Sequence, residues 1–388
     1  MEFRLSRDEE YAAVRQLWGQ AFGEEEPWTS WYFSQHYRAD KTWVGVENGK
    51  VLAQAHLLPH RLMLRGEWRT VVYFVGVCVE ESLRGTGIGR QLMASALGEL
   101  RRTGVGISIL QPRWPDFYRK LGWNYGYSRR KYSMPVNEAR RLLPDPMPMM
   151  GWSVDEYSME TLSALYHSFT VPRHAYALRE RQDWEKLLAN HRGEDGRVGV
   201  VSCGGIPLGY GLYKVLEDML WVRELICPDA RAVDAALKFM ISQTEKDGVE
   251  TLEWDDPAGD SGSVLYAVSQ SEPFLMGRIT DIRTVLAEFP YPDDLSAEID
   301  LTVADTLSPW NNGSFRWSIH QGKGVLIAKP LVEHSGLLLD IGTFSQLIFG
   351  EQTVWEILKA GNAGIDREEG KILERIFPLC RNFISEYF

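Results

Sequence analysis

Residues 75–90 read VGVCVEESLRGTGIGR, and the chain continues as QLMASALGELRR. An apolar run rich in valine leads into a charged turn, and glycines follow at positions 85, 87 and 89. From Ile88 onward apolar residues recur every four positions, which is helical spacing. Strand, glycine turn and helix form the layout in which free backbone N–H groups at a helix start bind a phosphate.

The spacing of the glycines narrows the kind of phosphate site. A dinucleotide fingerprint would need a third glycine at position 90, where Arg90 stands, and the Gly-Lys pair of a P-loop is absent. What remains is Arg-x-x-Gly-x-Gly, read from Arg84, after a Val-x-Val strand. This pattern resembles the acetyl-coenzyme A loop of the GNAT N-acetyltransferases, and an ordinary glycine turn is the alternative. The resemblance implies that acetyl-coenzyme A is bound by Val77, Cys78, Val79, Arg84, Gly85, Thr86, Gly87, Ile88, Gly89 and Arg90.

A second motif lies downstream of the glycine loop. Residues 107–110 form a short buried-strand candidate that Pro112 ends, and residues 117–123 read FYRKLGW. Phe-Tyr-x-x-x-Gly-aromatic resembles the second hallmark of the GNAT family, in which the tyrosine hydroxyl lies beside the thioester sulfur. The resemblance therefore gives Tyr118 a catalytic role. Without the upstream loop, Tyr118 would be an ordinary half-buried aromatic residue.

Composition limits the class of protein. The chain has 388 residues, which favours two or three domains. Its net charge of −11 disfavours the binding of nucleic acid and attracts cationic small molecules. It has no apolar run of membrane-spanning length and no signal-peptide pattern at its start. We expect a cytoplasmic protein with no metal and no membrane or nucleic-acid partner. The cysteines are too far apart for a zinc site or a disulfide framework: Cys78, Cys203, Cys227 and Cys380.

An acidic and aromatic stretch near the N-terminus is a candidate substrate wall. Glu24 and Glu25 precede Trp28 and Trp31, so carboxylates and ring faces occur together. Both attract a cationic amine. The alternative is a solvated acidic loop beside a packed helix.

The order of predicted elements divides the chain into three parts. Residues 1–149 read as strand, helix, hairpin, strand, glycine loop and helix, and a proline-rich linker follows near residues 135–150. Residues 150–285 repeat this layout, but the turn before the helix at 230–243 has no glycine, so we expect a scaffold without phosphate binding. Residues 286–388 hold short strands and then helices, the last of them over 369–383. The predicted fold class is α+β with mixed sheets.

The whole chain resembles the Eis-like acetyltransferases, named for enhanced intracellular survival. The run Ile-Gly-Thr-Phe-Ser-Gln-Leu-Ile-Phe-Gly from Ile341 resembles sterol carrier protein domains. The resemblance implies tandem GNAT folds, a sterol-carrier-like third domain, and a cyclic homo-oligomer, often a hexamer. It implies aminoglycoside-like or polyamine-like acceptors, and a C-terminal carboxylate acting as base, here that of Phe388. A frayed terminus is the alternative for Phe388.

These resemblances imply a mechanism of direct transfer in a ternary complex. An aliphatic amine has a pKa of about 10 and must lose a proton before it attacks, while a C-terminal carboxylate, with a pKa of about 3.5, is a weak base. Tyr118 would donate a proton to the leaving thiolate. Two other functions stay open: a sensor or scaffold that binds coenzyme A or lipid without turnover, and an acetyltransferase acting on protein lysines.

Overall fold

The computed structural model describes residues 1–23, 26, 28–330 and 336–386. The chain forms two compact units. The first contains Met1–Gly126 and Phe274–Cys380. The second contains Tyr127–Pro273 together with residues 381–386.

The N-terminal part of the first unit contains one mixed sheet flanked by helices. Its elements in chain order are β1 (Glu2–Leu5), α1 (Tyr11–Phe22), α2 (Trp28–Gln35), β2 (Thr42–Glu47), β3 (Lys50–Leu64), β4 (Glu67–Val79), α3 (Ile88–Arg102), β5 (Ile107–Leu110), α4 (Pro115–Arg119) and β6 (Asn124–Tyr125). Strands β1 to β4 are antiparallel neighbours, whereas β4 and β5 run parallel. The α3 helix covers the sheet through an apolar stripe that includes Leu92, Ala96 and Leu100, as its spacing predicts.

Two glycines shape this sheet. Asn48 and Gly49 both have positive φ angles, 51° and 76°, so the predicted hairpin turn between β2 and β3 is present. Gly76 interrupts β4 with a φ of 62°. A Cβ atom at this position would lie 2.0 Å from the Trp18 ring, so only glycine lets that indole pack against the strand.

The second unit is built around a sheet that repeats the order of the first. Its elements are β7 (Ser128–Pro135), α5 (Val136–Leu142), β8 (Met150–Val154), α6 (Met159–Thr170), β9 (Tyr176–Ala177), α7 (Arg181–Gly193), β10 (Arg197–Cys203), β11 (Ile206–Leu216), β12 (Met219–Ile226), α8 (Ala230–Gln243), β13 (Thr251–Asp256) and β14 (Gln270–Pro273). The sheet order is β8-β10-β11-β12-β13-β7-β14, with β12 and β13 parallel. Strand β12 and helix α8 therefore occupy the places that β4 and α3 have in the first sheet.

The chain then returns to the first unit. The remaining elements are β15 (Met276–Ile279), α9 (Ile282–Ala287), β16 (Ala297–Ala304), β17 (Gly313–His320), β18 (Lys323–Lys329), β19 (Leu337–Asp340), α10 (Ile341–Phe349), α11 (Val354–Ala360) and α12 (Arg367–Ile376). Strand β15 lies between β5 and β6 and completes the first sheet. Strands β16 to β19 form a separate sheet in the order β18-β17-β16-β19.

A buried ion pair joins β15 to the segment after β16. The Arg278 guanidinium donates to both carboxylate oxygens of Asp305 at 2.9 Å, and both side chains are fully buried. The same guanidinium lies 5.0 Å from the centre of the Trp123 ring. Burial lowers the pKa of Arg278 to about 10, which still leaves it charged at neutral pH. The pair holds the segment after β16 against the first sheet.

The predicted fold class is confirmed: the chain is α+β, with two large mixed sheets of similar strand order and a third sheet of four strands. The last predicted helix, over residues 369–383, is wrong in length, because α12 ends at Ile376 and Pro378 cannot continue it. The domain ranges 1–149, 150–285 and 286–388 stay a prediction. In the structure, β7, from the end of the first range, pairs in the second sheet, and β15, from the end of the second range, pairs in the first sheet. In the described part of the chain, no helix has the length and apolarity to cross a membrane.

Candidate active site

The candidate active site lies where β4 leaves its parallel neighbour. Strand β4 pairs with β5 only over residues 71–74, but it stays paired with β3 as far as Val79. Within the described residues, Val77, Cys78 and Val79 therefore carry one edge of backbone polar groups without a strand partner. Such an edge offers N–H and C=O groups to an extended ligand, as an added strand would use them.

The glycine loop follows directly and leads into α3. Gly85 and Gly87 have φ angles of 80° and 91°, which side-chain-bearing residues rarely adopt. Gly87 is the N-cap of α3, and because it has no side chain, it leaves the N–H groups of the first turn without a cap. Gly89 has an ordinary backbone, but a Cβ there would lie 3.4 Å from the Phe117 ring. Residues 85–90 thus form a glycine turn at an uncapped helix start, and phosphate binding there stays a prediction.

The remaining loop residues have internal contacts. The Arg84 guanidinium donates to the Val79 carbonyl at 3.2 Å, and the Thr86 hydroxyl donates to the Leu83 carbonyl at 2.7 Å. Arg90 donates to the carbonyl of Thr306. Both arginines are exposed, so they can rearrange toward an anion at small cost.

Tyr118 lies on the short helix α4 and is buried. Its carbonyl accepts the N–H groups of Leu121 and Trp123 at 2.9 and 3.1 Å, which fixes the turn at Gly122. Gly122 has a φ of 87°, and a Cβ there would lie 2.5 Å from Ile341. The glycine of the second motif is therefore required by both backbone and packing. The Tyr118 hydroxyl has no hydrogen-bond partner within the described residues, so it stays available to a ligand.

Burial and the Cys78 thiol together set the protonation state of Tyr118. Burial raises the pKa of Tyr118 above its ordinary value, and the Cys78 thiol adds to this shift. Burial also raises the pKa of Cys78 to about 12, so the thiol is protonated at neutral pH. A thiol in this state is a poor nucleophile. A protonated phenol such as that of Tyr118 is able to donate a proton, whereas Cys78 is a small core residue.

The candidate substrate residues are only partly within the described chain. Trp28 stacks on Tyr32 at 5.4 Å between ring centres and belongs to an aromatic cluster with Trp18. Trp31 contacts the His36 ring at 5.0 Å instead. Glu24, Glu25 and Phe388 lie outside the described residues.

Sequence reasoning missed a buried imidazole in this cluster. His56 on β3 is fully buried, and its Nδ1 lies 2.8 Å from the Tyr32 hydroxyl. Its ring is 5.2 Å from that of Trp18. Burial lowers the pKa of His56 to about 3, and His36 adds to the shift. The imidazole is therefore neutral at physiological pH. A single histidine within an alternating strand does not indicate from the sequence that its ring is buried and neutral.

We expect the His56→Gln variant to resist acid better than the native chain. The pKa of His56 is about 3 in the folded state and about 6.5 in the unfolded state, so below pH 6.5 the unfolded chain binds the extra proton. Stability is lost as pH falls, by roughly 2 kcal/mol at pH 5. Urea unfolding at pH 7 and pH 5 measures this loss, which the variant should lack. Equal losses in both proteins would contradict the burial of a neutral imidazole.

The sequence leaves open which of four basic residues, Arg113, Arg129, Arg130 and Lys131, would contact the coenzyme 3′-phosphate, and three of them have other partners. Arg129 forms ion pairs with Asp255 and Glu272 in the second sheet. Arg130 donates to Tyr266, and Lys131 lies 3.9 Å from Glu253. Arg113 is exposed beyond β5. These contacts favour a structural role for the three paired residues.

The candidate site is distinct from a cavity in the first unit. This cavity has a volume of about 210 Å³ and is lined by Trp68, Arg69, Ile107 and Phe289, among others. It adjoins the beginning of β4 and β5, whereas Cys78 lies near the end of β4. No residue of the predicted cofactor or substrate sites lines it.

Two parts of the chain match the models of known protein families. Residues 2–126 match the model of the acetyltransferase (GNAT) domain. Residues 282–385 match that of the sterol carrier protein domain. The first unit carries a GNAT acetyltransferase domain. The predicted acetyltransferase is thereby confirmed, and the sterol-carrier-like domain with it. A comparison with curated proteins finds no match for the sequence.

Solved structures show the same fold over the full length of the chain. A GCN5-related N-acetyltransferase from Anabaena variabilis has 19% identity and a TM-score of 0.81, and a probable N-acyltransferase from Enterococcus faecalis has 19% and 0.83. Eis1 from Mycobacterium abscessus has 17% identity and a TM-score of 0.74. Each match covers 100% of both chains. At these identities the likeness shows the fold, which includes Eis1 among its examples.

Proposed function

We propose that the protein transfers the acetyl group of acetyl-coenzyme A directly to a primary amine of a cationic small molecule, as an Eis-like enzyme. The observation that carries this proposal is the buried, protonated Tyr118 beside Cys78, where β4 leaves β5. The glycine loop follows the same strand and offers a phosphate site. A proton donor, an open strand edge and a phosphate site would match the thioester, the pantetheine and the pyrophosphate of acetyl-coenzyme A.

The residues present fit this coenzyme. The free edge of Val77, Cys78 and Val79 would orient the pantetheine amides, and the N–H groups from Gly87 to Arg90 would hold the pyrophosphate. Arg84 and Arg90 would supply positive charge to the same phosphates. The coenzyme would supply a thioester whose carbonyl carbon the amine attacks.

Tyr118 would act as general acid. As the C–N bond forms and the C–S bond breaks, the phenol proton would pass to the sulfur. The raised pKa keeps the phenol protonated at neutral pH. Because the leaving thiol has a pKa of about 8.5, the transfer to sulfur is unfavourable by itself and would be completed as the phenolate regains a proton. The proton that the ammonium loses would return to the phenol through solvent. No covalent acyl-enzyme is needed.

The C-terminal carboxylate of Phe388 is the proposed base, on the strength of the family resemblance. Extending the chain by Gly-Ser beyond Phe388 should abolish turnover without unfolding, because the carboxylate would be displaced. The variant Phe388→Leu, which keeps the carboxylate, should retain turnover within a few-fold. Steady-state kinetics measure both, and a fully active extended protein would exclude this role.

The acceptor is proposed to be an aminoglycoside-like or polyamine-like amine. The net charge of −11 and the aromatic faces of Trp28 and Trp31 support it, since both attract ammonium groups. Glu24 and Glu25 would add carboxylates. A homo-oligomer, hexameric by resemblance, is part of the same proposal.

The Gly87→Asp variant should weaken coenzyme A binding at least 10-fold. A carboxylate at the N-cap of α3 would repel the pyrophosphate, and the φ of 91° resists any side chain. Gly104→Asp is the matched control, because Gly104 follows the other end of α3 with a φ of 77° and open space around its Cβ position. Calorimetry gives both dissociation constants. Equal affinities would remove the loop from the cofactor site.

Thiol release from acetyl-coenzyme A tests the proposed function directly. The panel contains aminoglycosides, polyamines and lysine peptides, with coenzyme binding measured separately. Turnover on a small cationic amine supports the proposal, and turnover on lysine peptides alone favours the protein-directed alternative. Binding without turnover on any acceptor would favour the sensor.

A further inference from the structure

Within the described residues, the second sheet has an open strand edge in the same place as the first. Strand β12 pairs with β13 only over residues 219–222, but it stays paired with β11 as far as Ile226. Glu224 lies two residues beyond the last parallel pair, as Gly76 does in β4. No glycine loop follows β12, so this edge lacks the means to hold a phosphate. It is nevertheless the position that corresponds to the cofactor edge.

The last described residues of the chain are bound beside this edge. Phe383, Ile384 and Ser385 are each almost fully buried. The backbone of His174 donates to the Arg381 carbonyl at 2.8 Å and accepts from the N–H of Phe383 at 3.0 Å. The His174 Nδ1 also lies 2.6 Å from Oδ1 of Asn382. The segment is therefore held by main-chain bonds, as a docked peptide strand is.

Its side chains enter a site with apolar and charged parts. The Phe383 ring packs against Phe169 of α6 at 5.2 Å between centres. Arg179 donates to Glu224 at 2.6 and 2.9 Å, to the Ser385 hydroxyl at 2.9 Å, and to Glu386 at 3.0 Å. Ser385 in turn donates to Glu224. One guanidinium thus links the open strand to two side chains of the C-terminal segment.

The burial of this network argues for recognition. The side chains of Arg179 and Glu224 are each only 2% exposed, and a buried ion pair adds little stability compared with an apolar pair of the same size. Its directional bonds do define which segment fits and in which register. A scaffold without a ligand would gain more from apolar packing at this position.

We infer that the second GNAT fold is a peptide-binding domain whose ligand is the chain's own C-terminal segment. The recognised feature is an aromatic and an aliphatic residue followed by Ser385 and Glu386. The segment contacts Glu224, which lies on the strand edge that corresponds to the cofactor edge of the first sheet. The inference does not rest on acetyl transfer, so either can fail without the other.

The test separates the segment from the folded protein. A protease site is placed at Leu379, whose side chain is 62% exposed, and the folded full-length protein is cut there. Gel filtration then shows whether the fragment stays bound. Fluorescence anisotropy measures the binding of labelled peptide RNFISEYF to cut protein from which the fragment has been removed. Retention or saturable rebinding is the expected result, and loss of the fragment without rebinding overturns the inference.

Peptide variants supply specificity without altering the protein. Peptides with Phe383→Ala or Glu386→Lys should bind at least 10-fold more weakly, because the first removes a buried ring contact and the second reverses the charge that Arg179 contacts. The Arg381→Ala peptide is the control and should bind within about 2-fold, since the Arg381 side chain is 78% exposed and lies 3.5 Å from Asp260. Equal affinity of all four peptides would mean non-specific adhesion and would also overturn the inference.

Discussion

Tyr118→Phe is expected to reduce turnover by roughly 10²- to 10⁴-fold, the usual contribution of a positioned acid or base. The substitution removes only the hydroxyl, and the buried ring keeps its packing against Trp123 and Phe117. Because the Tyr118 hydroxyl has no hydrogen-bond partner within the described residues, its loss should leave the fold intact. The affinity for coenzyme A should change little, since the loop and strand edge are untouched.

Stopped-flow thiol release and calorimetry separate these two effects. Tyr125→Phe is the matched control, because Tyr125 lies on β6 and its ring keeps the Arg119 guanidinium at 5.3 Å without the hydroxyl. The control should turn over at the native rate. If Tyr118→Phe keeps turnover within 2-fold of the native value, another group protonates the leaving sulfur.

Arg179→Met is expected to destabilise the second unit by about 3–5 kcal/mol. Burial opposes the charges of Arg179 and Glu224, but their mutual attraction prevails, so the pKa of Arg179 is raised and that of Glu224 is lowered. Among the described residues, removing the guanidinium leaves the buried Glu224 carboxylate with the hydroxyl donors of Tyr210 and Ser385 alone. An uncompensated buried charge is far more costly than the pair is favourable.

Hydrogen exchange of peptides from the second unit measures this loss without interference from the first. Arg181→Met is the matched control, since its ion pair with Glu185 is exposed at 73% and 54% and should contribute less than about 1 kcal/mol. The double variant Arg179→Met with Glu224→Leu should recover most of the loss. If the single variant is as stable as the control, the buried network contributes nothing to the unit.

Local spacing was sufficient for most elements and for the cofactor motif. Strand β5 and helix α8 have the predicted bounds, Ile107–Leu110 and Ala230–Gln243. Each is indicated by the spacing of apolar residues within the element itself. The Asn48-Gly49 turn needs only its own two residues to adopt positive φ. The glycine loop could be predicted because Gly85 and Gly87 adopt positive φ angles, which glycine favours whatever its surroundings.

Contacts between distant residues were decided only by the tertiary structure. Strands β7 and β15 carry no sign in their sequence of which sheet they join, since an antiparallel partner is chosen by edge availability. The polar partners of Arg179 come from positions 224, 385 and 386, and the partner of His56 from position 32. The sequence by itself determined the elements and the motif, because these follow from neighbours along the chain. Folding decided the pairing of strands and the partners of buried charges, because desolvation acts on whatever groups the fold brings together.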